Sequence, residues 1–412
     1  MELTNLKLST LIFFCVYFFI SGADGYIILP TAWYYIRSLG LSKNFYSAVL
    51  AAQSLGFILM SPIVGKLADK TRRVKLILFM SVLVKAISKL VYAIPVSGYF
   101  PLAGCFFSGA ANAAYSAMYG EIVRYTANEY RSKLFILFDS VFTLGASCGP
   151  LFGGLVTFSG SILGLKINDG NSPGIVLAAI WFVALCVLIF LPSDLGTSEI
   201  GLLDEISLSD GGGNHDDVMK SFNSSVLCLY YIDFSNSLLA STCSGIIPLL
   251  TMELFSLKLI HVKLLFAVGM MFVFFVCSVS YIATKHCSER VLLLCSIILP
   301  IPSMLMLCTY AILWTKVSFS MSYTLVIYIC FGLPLPCYPF AGSLLSKITP
   351  SRHASTIQSG AVINFFVAAL IGRGISGVVF TQTLLIAYSI VLALMWSVGA
   401  AWLAFVFRRL PP

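Results

Sequence analysis

Apolar runs long enough to cross a bilayer recur along the whole chain, and they constrain its fold more than any other feature. A helix needs about 20 mostly apolar residues to span ~30 Å of hydrocarbon. Twelve such runs can be placed, near 8–29, 46–65, 76–96, 100–121, 134–158, 175–192, 226–249, 262–284, 291–312, 320–341, 355–380 and 383–406. Inside lipid only helices and closed barrels satisfy every backbone polar group, and a barrel would show short alternating segments instead. The expectation is an all-α membrane protein with twelve transmembrane helices. Composition agrees, since 59% of the 412 residues are hydrophobic and 10% charged, against about 25% charged in a soluble domain.

Charge then orients the chain. The loop Gly65–Lys75, GKLADKTRRVK, holds five basic residues (Lys66, Lys70, Arg72, Arg73, Lys75) and one acid, Asp69. Of the 25 Lys and Arg residues, sixteen fall on the side of this loop, six on the other, and three (Lys85, Lys89, Arg373) within spans. The positive-inside bias places both termini on the cytosolic side. The formal charge of +8 therefore reads as topology and not as a nucleic-acid surface. One long polar segment, 193–225, carries seven acids and the run Gly211-Gly212-Gly213; such composition reads as a flexible, acidic, cytosolic linker. It separates an N-terminal six-helix bundle, 1–192, from a C-terminal one, 226–412. A faint internal repeat relates the halves. Arg131 precedes the glycine-rich stretch at Gly149 by 18 residues, and Arg352 precedes Gly372 by 20.

Two motifs carry a resemblance. In GKLADKTRRVK the residues Gly65, Leu67, Ala68, Asp69, Lys70 and Arg73 match a pattern that resembles G-x-L-A-D-[RK]-x-G-R-[RK] of the major facilitator superfamily, while Arg72 stands where that pattern has glycine and Val74 where it has a basic residue. Gly145, Gly149, Pro150, Gly153 and Gly154 resemble the family's GxxxGPxxGG element, in which small residues four apart let helices approach closely. The resemblance implies two six-helix bundles. It also implies a conformational latch in which Asp69, with Gly65, Lys70 and Arg73, pairs with basic groups and with the start of the eleventh span near Ser355 and Thr356, where a carboxylate suits the positive end of a helix dipole. Further stretches resemble the lysosomal neuronal ceroid lipofuscinosis type 7 branch, near the facilitators that carry an SPX domain. They include Leu29-Pro30-Thr31-Ala32-Trp33-Tyr34-Tyr35-Ile36, Ile247-Pro248-Leu249-Leu250-Thr251-Met252-Glu253, Ser288-Glu289-Arg290 and Ser346-Lys347-Ile348. This branch implies an endosomal or lysosomal membrane, with anion conduction proposed for the group. The fourth span here lacks the arginine that the branch carries after its asparagine.

Ionisable groups inside spans are costly and are functional candidates by default. Asp24 is either a cavity group of the first span or its solvated outer end. Asp233, beside Tyr230, is the candidate of the seventh span. Lys85 and Lys89, four residues apart, share one face of the third helix; they either serve the site or snorkel and pair. Arg373 is the anion-binding candidate, since a guanidinium can grip a carboxylate or phosphate with two bonds, unless it reaches the outer surface. Eleven of the twelve cysteines lie in apolar runs, and no Cys/His spacing suggests a metal; no cofactor is expected. No nucleophile–base pair suggests an enzyme. The reading is a monomeric multi-pass transporter moving a small anionic solute by alternating access, with an endolysosomal anion channel or a transport-dead scaffold as the other readings.

Overall fold

The computed structural model describes residues 6–126, 128–162, 164–191, 224–254, 256–283, 286–298, 301, 337–348 and 354–411. The linker read as 193–225 lies outside these residues except for Ser224 and Ser225, which open a helix, and Pro300, Pro302, Pro334 and Pro336 lie outside them as well. The N-terminal part comprises α1 (Leu8–Ile27), α2 (Leu29–Ser38), α3 (Lys43–Thr71), α4 (Val74–Ala93), α5 (Tyr99–Asn112), α6 (Ala114–Tyr125), α7 (Asn128–Leu155) and α8 (Ser172–Ile189). A short antiparallel hairpin, β1 (Gly160–Ile162) and β2 (Leu165–Ile167), joins α7 to α8. The C-terminal part comprises α9 (Ser224–Leu249), which runs into a π-helical turn at Leu250–Leu254, then α10 (Leu259–Ala283), α11 (Glu289–Ile298), α12 (Cys337–Ile348), α13 (Ala354–Ile375) and α14 (Gln382–Val406). The expected all-α, two-bundle membrane fold is the one observed. Five described helices are each long and apolar enough to cross a membrane. Large apolar side chains such as Leu76, Met80, Ile87, Val183, Val187, Leu394 and Val398 are exposed, as helix faces turned to lipid require.

Several span limits differ from those read off hydropathy. The first span continues ten residues beyond Ile28 as α2, because Pro30 interrupts the ladder at the start of α2 without turning the chain away. The fourth is broken at Ala113 into α5 and α6. There the Ser81 hydroxyl of α4 donates to the Ala111 carbonyl at 2.6 Å, giving a partner to an oxygen beside the break. The fifth begins at Asn128, since a helix can extend beyond the lipid on polar residues that hydropathy discounts. The eleventh ends at Ile375.

Each half has its own apolar core, and a third cluster bridges them. It joins Ala23, Trp33, Tyr46 and Leu50 to Ile247, Met252, Val262 and Phe266, all on the face opposite the 65–75 loop, here the far face.

The loop itself ends α3 in a strained turn. Arg72, the residue in place of glycine, has φ 56° and ψ 11°, the left-handed region where a Cβ is crowded. Its position is the usual helix C-cap site at which glycine is free. Close approach of backbones decides the packing of α7. Cβ atoms at Gly145, Gly149 and Gly153 would run into the carbonyl oxygens of Phe19, Ala23 and Ile27, and one at Gly22 into that of Phe142. The two helices therefore touch main chain to main chain along three turns. Pro150 and Gly154 fall among side chains outside the description.

Gly145→Ala is expected to lose about 1–3 kcal/mol, because the obstacle is backbone that cannot rotate away. Thermal unfolding in detergent should show the loss, with Gly120→Ala unchanged or more stable, since nothing lies within 4 Å of a Cβ there. Arg72→Gly should raise the unfolding temperature, relieving about 1–3 kcal/mol of left-handed strain.

Candidate functional site

A cavity lies between the halves. The N-terminal half supplies Phe18 and Tyr26 of α1, Tyr115 and Tyr119 of α6, and Phe142, Thr143 and Ala146 of α7. The C-terminal half supplies Asn236, Ser237, Ala240 and Ser241 of α9 and Val362, Phe365 and Phe366 of α13. The walls are aromatic and neutral. Stacking fixes them: Phe18 lies on Tyr115 with ring centroids 5.0 Å apart, and Phe366 on Phe57 of α3 at 3.8 Å. Three buried polar atoms of the wall, Asn236 Oδ1, Ser237 Oγ and Tyr115 Oη, have no hydrogen-bond partner among the described residues. Buried groups of this kind ordinarily find partners, so a bound solute or water has three groups to satisfy. None of the three was singled out in the sequence, because neutral residues in an apolar run give no signal.

The charged candidates sit apart from that wall. Lys89 Nζ of α4 meets Asp24 Oδ1 of α1 at 2.6 Å, with Asp24 1% exposed; Ser108 of α5 donates to the other carboxylate oxygen at 3.5 Å. Asp24 is thus neither a solvated span end nor a residue of the cavity wall. Burial without a partner would cost several kcal/mol per ion, and the third helix turns its lysine face inward to supply one. Lys85 does not snorkel either. It is fully buried (0% exposed), donates to Ser21 Oγ at 2.6 Å, and rests over the rings of Trp181 at 3.9 Å and Tyr17 at 4.9 Å, whose faces attract a cation.

Arg373 of α13 is 7% exposed and lies between the halves, so it does not reach the outer surface. Its Nη1 donates to Gln53 Oε1 of α3 at 3.4 Å, and its Nε has no partner among the described residues. None of the described ion pairs includes it. Gln53 and Phe57, four apart on α3, face Arg373 and Phe366, seven apart on α13. The cation is therefore the next rung beyond the aromatic stack that borders the cavity. In the C-terminal half Asn364, also of α13, donates at 3.0 Å both to Asp233 Oδ2 and to the Tyr230 carbonyl. Asn364 escaped the sequence reading for want of charge.

The far face is closed by polar ties across the halves. Glu253, on the π-helical turn, binds Arg37 at 3.0 Å and Lys43 at 3.6 Å and accepts from Trp33 Nε1 at 3.3 Å. Ser47 Oγ lies 3.0 Å from Ser376 Oγ and accepts the Gly377 N–H at 2.6 Å. Tyr46 donates to the Gly245 carbonyl at 3.2 Å. Beside the hairpin, Lys263 binds Asp169 at 3.2 Å and Thr157 at 2.6 Å. Glu253 stood in the sequence only as part of a motif, because its partners are more than 200 residues away.

On the loop face Lys70 and Arg73 are exposed, and Gly65 faces Ser116 of α6. The Asp69 side chain, Ser355 and Thr356 lie outside the described side chains. Two motif pieces do meet: Glu289 pairs with Lys347 at 3.1 Å and accepts from Ser343 at 2.7 Å.

Comparison with known proteins places this architecture. The profile of the Major Facilitator Superfamily matches residues 14–373. An SPX domain-containing membrane protein of Oryza sativa subsp. indica is 29% identical over 184 residues, 43% of this chain and 26% of that protein; the chain thus spans about a quarter of that relative's length. A bacterial homolog of the human lysosomal transporter Spinster, solved inward-facing and unoccupied, superposes with a TM-score of 0.65 at 15% identity, over 96% of this chain and 94% of that one. The human organic anion transporter MFSD10 (TETRAN) gives 0.64 at 14%, over 96% and 99%. A D-xylose-proton symporter gives 0.69 at 13%, over 96% of each. These three are alike in fold. With the family profile reaching from α1 into α13 and the two-bundle architecture shared end to end, the chain belongs to the major facilitator superfamily of membrane transporters.

Proposed function

We propose that this protein carries a small anionic solute across its membrane by alternating access, with Arg373 as the attracting charge. One observation carries the reading: a buried guanidinium lies between the two halves beside a neutral amide, with no described carboxylate paired to it. A buried cation left without a counter-ion favours an anionic ligand, and a guanidinium can bind it with two parallel bonds. The neighbouring cavity wall supplies neutral recognition through Tyr115, Asn236 and Ser237. Asp24 and Asp233 are the coupling or gating groups of the proposal, each already held by a partner (Lys89, Asn364) that would have to let go or follow.

The far-face ties support alternation over a permanently open pore, since they close one end of the route while the cavity persists. With the 65–75 loop taken as cytosolic from its charge, the sealed face is the lumenal or external one. The resemblance to the lysosomal branch supports an endolysosomal membrane, which co-localisation of the tagged chain with lysosomal markers would check.

Counterflow of radiolabelled chloride and small carboxylates in proteoliposomes tests the reading. Arg373→Ala is expected to lower uptake about ten- to a hundredfold, the worth of a charge-assisted bond of roughly 1.5–3 kcal/mol; unchanged flux would remove Arg373 from the site. Currents far above carrier turnover would make the protein a channel instead. Glu253→Gln should loosen the far face, read as faster labelling of a cysteine introduced at Ser376 by an impermeant maleimide. Asp24→Asn strands Lys89 and should cost about 3–5 kcal/mol. The double change Asp24→Asn with Lys89→Met should recover much of that in the unfolding temperature.

A further inference from the structure

Two long apolar grooves run along the lipid-facing surface of the N-terminal half. One follows α1 and α8 from Ser9 to Leu191. The other lies between α3, α4 and α5, with Ala114 at the start of α6. Its walls include Val64, Leu67, Met80, Val84 and Phe107, and its loop end is formed by Thr71 and Arg73. Along α4 it extends from Arg73 to Val84, which at 1.5 Å per residue is about 16 Å. One leaflet of a ~30 Å hydrocarbon core is about 15 Å deep. The groove is therefore as long as one leaflet is thick.

Its mouth is also charged in the right place. Arg73 is exposed, and none of the described ion pairs includes it. Lys66 and Lys70, both exposed, precede it in the last turns of α3. The first groove differs. Lys75, the basic residue beside its Leu191 end, donates to the carbonyls of Ile189, at 3.2 Å, and of Leu191. One groove thus presents, at its loop end, an exposed guanidinium with no ion pair among the described residues, and the other a lysine already spent on backbone.

We propose that the α3–α4–α5 groove is a binding site for an anionic phospholipid of the leaflet around the 65–75 loop, one acyl chain lying in the groove and the headgroup held by Arg73. The occupant follows from the combination. An apolar channel of one-leaflet length fits a single chain, and a basic mouth at the interface selects a negative headgroup. Basic clusters beside membrane helices gain about 1 kcal/mol per residue from anionic lipid.

Native mass spectrometry of the full chain in neutral detergent tests the site, with phosphatidylserine and phosphatidylcholine of the same chains as probes. Phosphatidylserine should be retained about fivefold better than phosphatidylcholine, the ratio that one such contact gives. Arg73→Gln should erase that preference. Met80→Trp, which fills the groove at a side chain already 50% exposed, should reduce retention of both lipids. Val183→Trp in the other groove should leave the preference intact. Glycerophosphoserine, the headgroup without chains, should not compete. Equal retention of the two lipids by the unaltered protein would overturn the proposal. So would a preference that survives both Arg73→Gln and Met80→Trp, or one lost equally in Val183→Trp.

Discussion

In hydrocarbon a backbone N–H or C=O without a partner costs several kcal/mol, and the rest of this structure is arranged around that penalty. Uninterrupted helix meets it by default. At three breaks of the ladder among the described residues, a side-chain hydroxyl stands at the gap. Thr31 donates to the Ile28 carbonyl at 3.1 Å where α1 gives way to α2. Ser81 donates to Ala111 where α5 gives way to α6. Thr251 donates to the carbonyls of Ile247 and Pro248, at 2.8 and 3.2 Å, where α9 widens into its π-helical turn. The breaks are compatible with a membrane interior because short polar side chains have been placed beside them.

The same penalty governs charge. Asp24 and Lys89 are tolerable as a pair, and Lys85 is tolerable because a hydroxyl and two aromatic faces surround its ammonium. These groups stiffen the N-terminal half from within, whereas Arg373 joins one half to the other through a single neutral amide. That difference sets charges with a partner inside one half apart from a charge with no ion pair among the described residues. It could not be drawn from the sequence, where all four residues are simply ions inside apolar runs.

Hydropathy made the kind and order of the described elements legible, because it is a property of the chain read locally. Partners were not legible. Lys89 finds Asp24 because two helix faces happen to meet, and Glu253 finds Arg37 across two halves of the protein. The neutral lining of the cavity was silent for a related reason: a serine or an asparagine becomes conspicuous only once its surroundings are known to leave it unsatisfied. In the opposite direction, the family pattern around Asp69 was more informative than its match suggested. The misfit at Arg72 marked the one residue of α3 and its loop held in the left-handed region.

The interruption at Ala113 divides the fourth span into two pieces that are held in different ways. Above it, α5 is locked to α3 by backbone contact, since Cβ atoms at Gly56 and Gly109 would strike the main chain of Phe106 and Gln53. Below it, α6 is joined to α3 by a pair of hydroxyls, Ser61 and Ser116, at 2.7 Å. A main-chain contact of that closeness cannot slide, while hydroxyls can exchange one acceptor for another. The lower piece carries Tyr115 and Tyr119 of the cavity wall. The two pieces of one membrane span are thus fixed to the same neighbour by contacts of different kinds, and the piece held by the exchangeable kind carries both wall tyrosines.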